Sequence, residues 1–160
     1  MFLTYGAMGR GGLLVATVLG AAAAVFAGSV SAGMAATQAT NAHLLGISVE
    51  SYSTYDRVIL DVSSVPGYTI TATDELIHDG SGKDVTLPNS NTYLDVELSP
   101  ADTVGYAGAT LVTTTDAEVK AVEQLGTYEG YVQVGIGLDH ASGYTVTVLS
   151  ATQLAIDVAH

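Results

Sequence analysis

From Leu44 onward the chain runs in short alternating stretches, and this pattern most constrains what it can fold into. "DRVILDV" sets Val58, Leu60 and Val62 against Arg57, Ile59 and Asp61. "TYLDVELSP" sets Leu94, Val96 and Leu98 against Tyr93, Asp95 and Glu97. Successive side chains of a strand point to opposite faces, so each stretch offers one face to a core and the other to solvent. Further strands read from "LLGISVES", "YTITAT", "YEGYVQVGIGLD", "GYTVTVLS" and "QLAIDVAH". "SSVPG" turns the chain, and "ELIHDGSGKDVTL" reads as a hairpin with "DGSG" at its tip, where glycine supplies positive φ. "LDH" (138–140), beside "ASG", reads as another hairpin tip. About eight short strands with turns roughly every ten residues predict an all-β fold, a compact β-sandwich or a barrel. One segment is ambiguous. "DAEVKAVEQLG" (116–126) fits a helix capped by Asp116 and stopped by Gly126, while "VKAV" fits a strand equally well.

Two echoes link the halves of the chain. "GYTIT" (67–71) returns as "GYTVT" (143–147), and "VILDV" (58–62) as "LAIDV" (154–158). The units come in opposite order, which excludes a tandem repeat and predicts two strand pairs contributing to one core.

The amino-terminal part has a different composition. One positive charge, Arg10, precedes the apolar run "LLVATVLGAAAAVFA" (13–27), and small residues follow, with Val30-Ser31-Ala32 fitting a cleavage site. That order reads as a helical signal peptide over residues 1–32, cut near Ala32, then a linker over 33–42 and a domain over 43–160. The alternative is a retained anchor, because the uncharged run from Gly11 to Met34 could just span a bilayer of about 30 Å. Export implies a secreted or cell-envelope location. With no cysteine in the chain, packing alone must hold the fold, and thiol nucleophiles and thiolate metal sites are excluded.

Charge narrows the partners. The formal net charge is −12; since Arg10 is the only charge before His43, the remainder carries −13. Nucleic acid is excluded as a partner, because its affinity depends on Lys and Arg neutralising phosphates. The acids also oppose anionic membranes and acidic wall polymers unless a cation bridges them.

Catalytic and metal signatures are missing. His43, His78, His140 and His160 form no His-x-His or His-Glu-x-x-His pattern, and "HDGSGKD" (78–84) fails as a calcium loop at Lys83. There is no Gly-x-Ser-x-Gly elbow and no phosphate-binding loop, and "GIG" (135–137) lacks a third glycine. No cofactor or metal is expected. A carboxylate-dependent hydrolase stays open because acids are plentiful, although no pair stands out. The candidate binding residue is Arg57, the only arginine after the leader. It is read either as a structural partner of Asp157 or Asp61 or as a hook for ligand carboxylates. Tyr68, Tyr106, Tyr128, Tyr131 and Tyr144 are candidates for stacking on sugars, with Tyr68 and Tyr144 set beside Arg57 as the ligand-binding group.

"YDRVILDVSSVPGYTI" (55–70) and "GIGLDHASGYTVTVLSATQLAIDVAH" (135–160) resemble the AMIN-like domains of exported bacterial proteins, related in outline to the AMIN module of peptidoglycan amidases. The Tyr-Asp-Arg-Val strand, the Pro-Gly-aromatic strand, "TYEG", "GIGL" and "IDVAH" carry the resemblance. It implies a β-sandwich with a non-catalytic role, binding peptidoglycan or another envelope component. Two positions depart from the pattern: Gln153 stands where an arginine is usual, and Val134 where a tryptophan is. The competing reading is a protein–protein interaction module that uses an exposed strand edge.

Overall fold

The computed structural model describes residues 41–160; the predicted signal peptide and all but the end of the predicted linker lie outside the described residues. Eight strands are seven to ten residues long: β1 (Ala42–Ser51), β2 (Tyr55–Val62), β3 (Gly67–Thr73), β6 (Thr92–Ser99), β9 (Val119–Tyr128), β10 (Tyr131–Leu138), β11 (Tyr144–Ser150) and β12 (Gln153–Ala159). Four more have only two or three residues: β4 (Leu76–His78), β5 (Lys83–Val85), β7 (Ala101–Asp102) and β8 (Leu111–Thr113). Runs that short show no periodicity, so the alternation reveals only the long strands.

Two five-stranded sheets form the sandwich, ordered β11-β12-β2-β1-β7 and β3-β6-β10-β9-β8. All pairings are antiparallel except the two-residue contact of β1 with β7. The alternation fixes which side faces in. Val58, Leu60 and Val62 meet Leu154, Ile156 and Val158 on the inner face of the first sheet, and Leu94, Val96, Leu98, Val134 and Ile136 face them from the second. Burying a branched side chain contributes about 1.5–3 kcal/mol, and this shared layer is the main source of stability in a chain without disulfides.

A smaller core lies on the outer side of the second sheet. Leu76, Leu87, Tyr93, Ala121 and Leu125 cluster there beneath the β4–β5 hairpin. "GIG" is explained by this arrangement. Ile136 faces the main core, while Gly135 and Gly137 leave the outer face bare where Leu76, Leu87 and Ser90 lie close against it.

The ambiguous segment 116–126 is strand from Val119 onward and contains no helix. Its pairing with β10 skips Lys120 and Leu125 at two register shifts. Each bulge changes the phase of the alternation. Val119 and Val122 therefore reach the main core while Ala121 and Leu125 reach the outer one, which produces a helix-like apolar spacing. "LDH" also differs from expectation: residues after Leu138 cross from the second sheet to the first rather than closing a hairpin. "DGSG" does turn a hairpin, between β4 and β5.

The echoes acquire places. "VILDV" and "LAIDV" are neighbouring antiparallel strands of the first sheet, with Leu60 opposite Leu154 and Val58 opposite Ile156. "GYTIT" and "GYTVT" form the edge strands β3 and β11 of opposite sheets, joined where the Tyr144 hydroxyl donates to the Ile70 carbonyl at 3.2 Å.

Candidate functional site

The β1–β2 hairpin narrows to a tip at residues 52–55, where the Tyr52 N–H donates to the Tyr55 carbonyl at 2.9 Å. Tyr55 and Arg57 share the outward face of β2, and the register sets Arg57 between Glu50 of β1 and Asp157 of β12. Arg57 Nε donates to Asp157 Oδ1 at 2.6 Å and Nη2 to Oδ2 at 2.8 Å, a bidentate pair. Such forks combine two charge-assisted bonds with fixed geometry. The Asp157 hydrogen bond pushes the guanidinium further toward its protonated form, with burial opposing.

Two tyrosines complete the patch. The Tyr52 and Tyr55 rings stack with centroids 4.7 Å apart and an interplanar angle of 18°. Arg57 Cζ lies 5.4 Å from the Tyr52 ring and 5.3 Å from the Tyr55 ring, within range of cation–π attraction. The Tyr52 hydroxyl donates to Glu50 Oε2 at 2.7 Å, which raises the phenol above its ordinary range and keeps it neutral. Tyr52 is 41% exposed. Arg57 Nη1 has no hydrogen-bond partner among the described residues. The face thus offers an aromatic stack, a spare guanidinium edge and a carboxylate within one hairpin tip.

Tyr68 and Tyr144 lie elsewhere. Both pack against the core between the sheets, on the side of their strands opposite to that used by Arg57. Tyr106 also packs there, its hydroxyl donating to the Ala109 carbonyl at 2.7 Å. Tyr128 and Tyr131 meet edge to face at 5.9 Å in the β9–β10 hairpin. Sequence reasoning missed Tyr52 and Tyr55. Tyr55, two residues before Arg57, shares its face because side chains alternate along a strand, but Tyr52 joins it only through the hairpin tip. Of the family departures, Val134 is fully buried in the main core, and Gln153 Nε2 donates to Asp61 Oδ1 at 2.9 Å on the Arg57 face.

Directly behind the patch, Asp56 points inward and is fully buried. Its Oδ2 accepts the N–H groups of Glu118 at 2.7 Å and Val119 at 3.0 Å. Its Oδ1 accepts the Ser51 hydroxyl at 2.7 Å and lies 2.9 Å from His160 Nε2. One carboxylate therefore ties the first hairpin, the start of β9 and the residue after β12. Burial alone would raise its pKa, but the bonds from Val119, Glu118, His160 and Ser51 together hold it below the usual carboxylate range. Glu118, equally buried, accepts the His140 N–H at 3.0 Å on Oε1, and its Oε2 lies 2.9 Å from His140 Nδ1. At the opposite corner His43 Nδ1 is 2.5 Å from Asp102 Oδ1.

A second acidic group occupies the outer face of the second sheet. Burial pushes the Asp95 carboxyl up to about 6, the charges of Asp79 and Glu97 add to this, and hydrogen bonds from Gln133 Nε2 oppose it. A carboxyl raised on folding favours the folded state below its unfolded value near 3.9, and that contribution is lost as pH rises through about 6. Asp95→Asn should therefore stabilise the domain by about 1 kcal/mol at pH 7.5, after allowance for solvent screening, and give no gain at pH 4. Thermal melts at the two pH values check this; an equal effect at both would contradict it.

Fold and face together describe a β-sandwich module carrying a polar aromatic surface. The chain belongs to the AMIN-like domain family, whose model matches residues 42–160. This places it among cell-envelope-related domains that are generally non-catalytic binding modules. No curated protein and no solved structure matches the chain.

Proposed function

We propose that this chain is an exported, non-catalytic module of the cell envelope that binds peptidoglycan through the hairpin-tip patch of Arg57, Tyr52 and Tyr55. The observation that carries the reading is the stack of exposed Tyr52 on half-buried Tyr55, set against an arginine whose Nη1 has no partner among the described residues. Sugar rings present C–H faces that pack on tyrosine, and the phenol and guanidinium supply the polar contacts that orient them. The wall's peptide carboxylates suit the spare Nη1 donors. Asp157 fixes the guanidinium plane and reduces the entropy lost on binding. Tyr68 and Tyr144, packed between the sheets, take no part in this reading.

The large negative charge opposes approach to an acidic wall, so binding should strengthen as salt screens the repulsion. Co-sedimentation with purified sacculi tests the proposal. The wild-type chain should pellet with the sacculi, more completely at moderate salt than at low salt. The Tyr52→Ala/Tyr55→Ala double variant should lose about tenfold or more in apparent affinity, given what base or sugar stacking on aromatics typically contributes. If no fraction pellets at any salt concentration, peptidoglycan is excluded as the ligand.

A further inference from the structure

β11 is a long strand whose open side has no partner among the described residues. Other edges are shorter or occupied: β7 and β8 have two and three residues, and on β3 the Ile70 carbonyl receives the Tyr144 hydroxyl. Exposed edges of natural sheets are usually blunted by Lys, Pro or charge. β11 has none of these. Residues 141–152 contain no charged side chain in a chain of net charge −12, and Val148 is 52% exposed. A register shift between Val148 and Ser150 ends the regular edge, leaving Tyr144–Val148 free to pair.

The phase of the ladder shows which groups are available. The Ala159 N–H donates to the Gly143 carbonyl at 2.9 Å, so Gly143 and Ala159 form a hydrogen-bonded pair. In an antiparallel ladder such pairs alternate, which commits Thr145 and Thr147 to β12 and turns the N–H and C=O of Tyr144, Val146 and Val148 outward.

We propose that this edge pairs with a second copy of the chain, β11 against β11, antiparallel about a two-fold axis at Val146. That register sets Val146 opposite its own copy, Tyr144 opposite Val148 and Thr145 opposite Thr147. All the outward backbone groups of the stretch are satisfied together. Apolar residues meet apolar residues on one face, threonines meet on the other, and the interface is self-complementary as two-fold symmetry requires. Charge selects the same place. Two strongly acidic bodies repel each other, and this uncharged edge lets them approach without like charges in contact. The joined first sheets become one ten-stranded sheet, counting five from each copy. The dimer is weak, because five residues of strand bury less than a standard interface, and it tightens as salt is added. The Arg57 patch is not involved, so the proposal is independent of the wall-binding reading.

Sedimentation equilibrium of the full chain over a wide concentration range tests it. The wild type should show a monomer–dimer equilibrium whose dissociation constant falls with added sodium chloride. Val146→Pro removes an outward N–H, a change tolerated on an edge, together with part of the Val146 side chain's contact with the main core, and should be monomeric throughout. Val148→Lys places a charge at an exposed edge position and should weaken the dimer about tenfold or more. Circular dichroism shows whether each variant folds, and Val148→Lys decides the matter if Val146→Pro does not. A wild type that remains monomeric at high concentration and high salt overturns the proposal. So does association that survives in a folded Val146→Pro, or a dissociation constant unchanged from wild type in a folded Val148→Lys when Val146→Pro does not fold.

Discussion

Asp56→Ala should lower the stability of the folded domain by about 3–5 kcal/mol, the range seen when one partner of a buried charged group is removed. The substitution strands the Glu118 and Val119 N–H groups, the Ser51 hydroxyl and the His160 ring, and the two amides sit where water does not reach. Each unsatisfied buried donor costs about 1–3 kcal/mol. Against a typical total of about 5–15 kcal/mol, this is at least about a fifth of the whole. Urea unfolding should show a lower midpoint with an unchanged slope if the variant keeps the same fold. The pH dependence has a definite sign. Asp56 is held below the ordinary carboxylate range, so its contribution is fully present above about pH 4 and is lost as pH falls through the folded value. The difference between wild type and variant should be constant from neutrality to about pH 5 and shrink below pH 4. A difference that stays flat to pH 2 would mean that the stabilisation comes from packing and not from the carboxylate.

Gly137→Ala should destabilise by about 1–3 kcal/mol, the usual range for overpacking. A Cβ at this position would collide with Ser90 Oγ and lie 2.8 Å from Ser90 Cβ and 3.1 Å from Leu87 Cβ. Both Cβ atoms are fixed to backbone, so relief requires the segment around residues 87–90 to lift off the sheet. The small outer core then loosens at Leu87. Gly135→Ala provides the comparison. Its clash is with Leu76 Cδ2, the end of a side chain that can rotate, and its next neighbours stand at 3.4 and 3.5 Å. The effect there should be the smaller of the two. Chemical denaturation of both variants checks the order, and an equal or reversed order would contradict the assignment of the "GIG" glycines to close backbone approach.

Much of this fold was legible because one-sided burial leaves a period of two in the sequence. The long strands other than β9 show it; the short ones, with two or three residues, have nothing to repeat. β9 misled for a physical reason: it buries side chains in two cores, and its bulges at Lys120 and Leu125 shift the alternation into a helix-like spacing. The crossing after Leu138 was hidden because "ASG" supplies turn residues whether the chain reverses within a sheet or passes between sheets. The site was legible only in part. Alternation puts Arg57 on an outward face, but only the register between β2 and β12, strands separated by most of the domain, sets Asp157 opposite it. Tyr52 joins the patch through tertiary geometry at the hairpin tip. Asp56 and His160 are each conspicuous within a family motif, yet nothing local indicates that they meet.

The face built by Arg57, Tyr52 and Tyr55 is where we propose that this domain meets its ligand. Titrating the isotope-labelled protein with soluble disaccharide-peptide fragments of peptidoglycan, followed by amide and side-chain NMR shifts, tests it most directly. Saturable shifts are expected, concentrated at residues 50–57 and around Asp157, with β4 and β5 on the other sheet's side unmoved. Shifts confined to any other face, or none at saturating fragment, would contradict it.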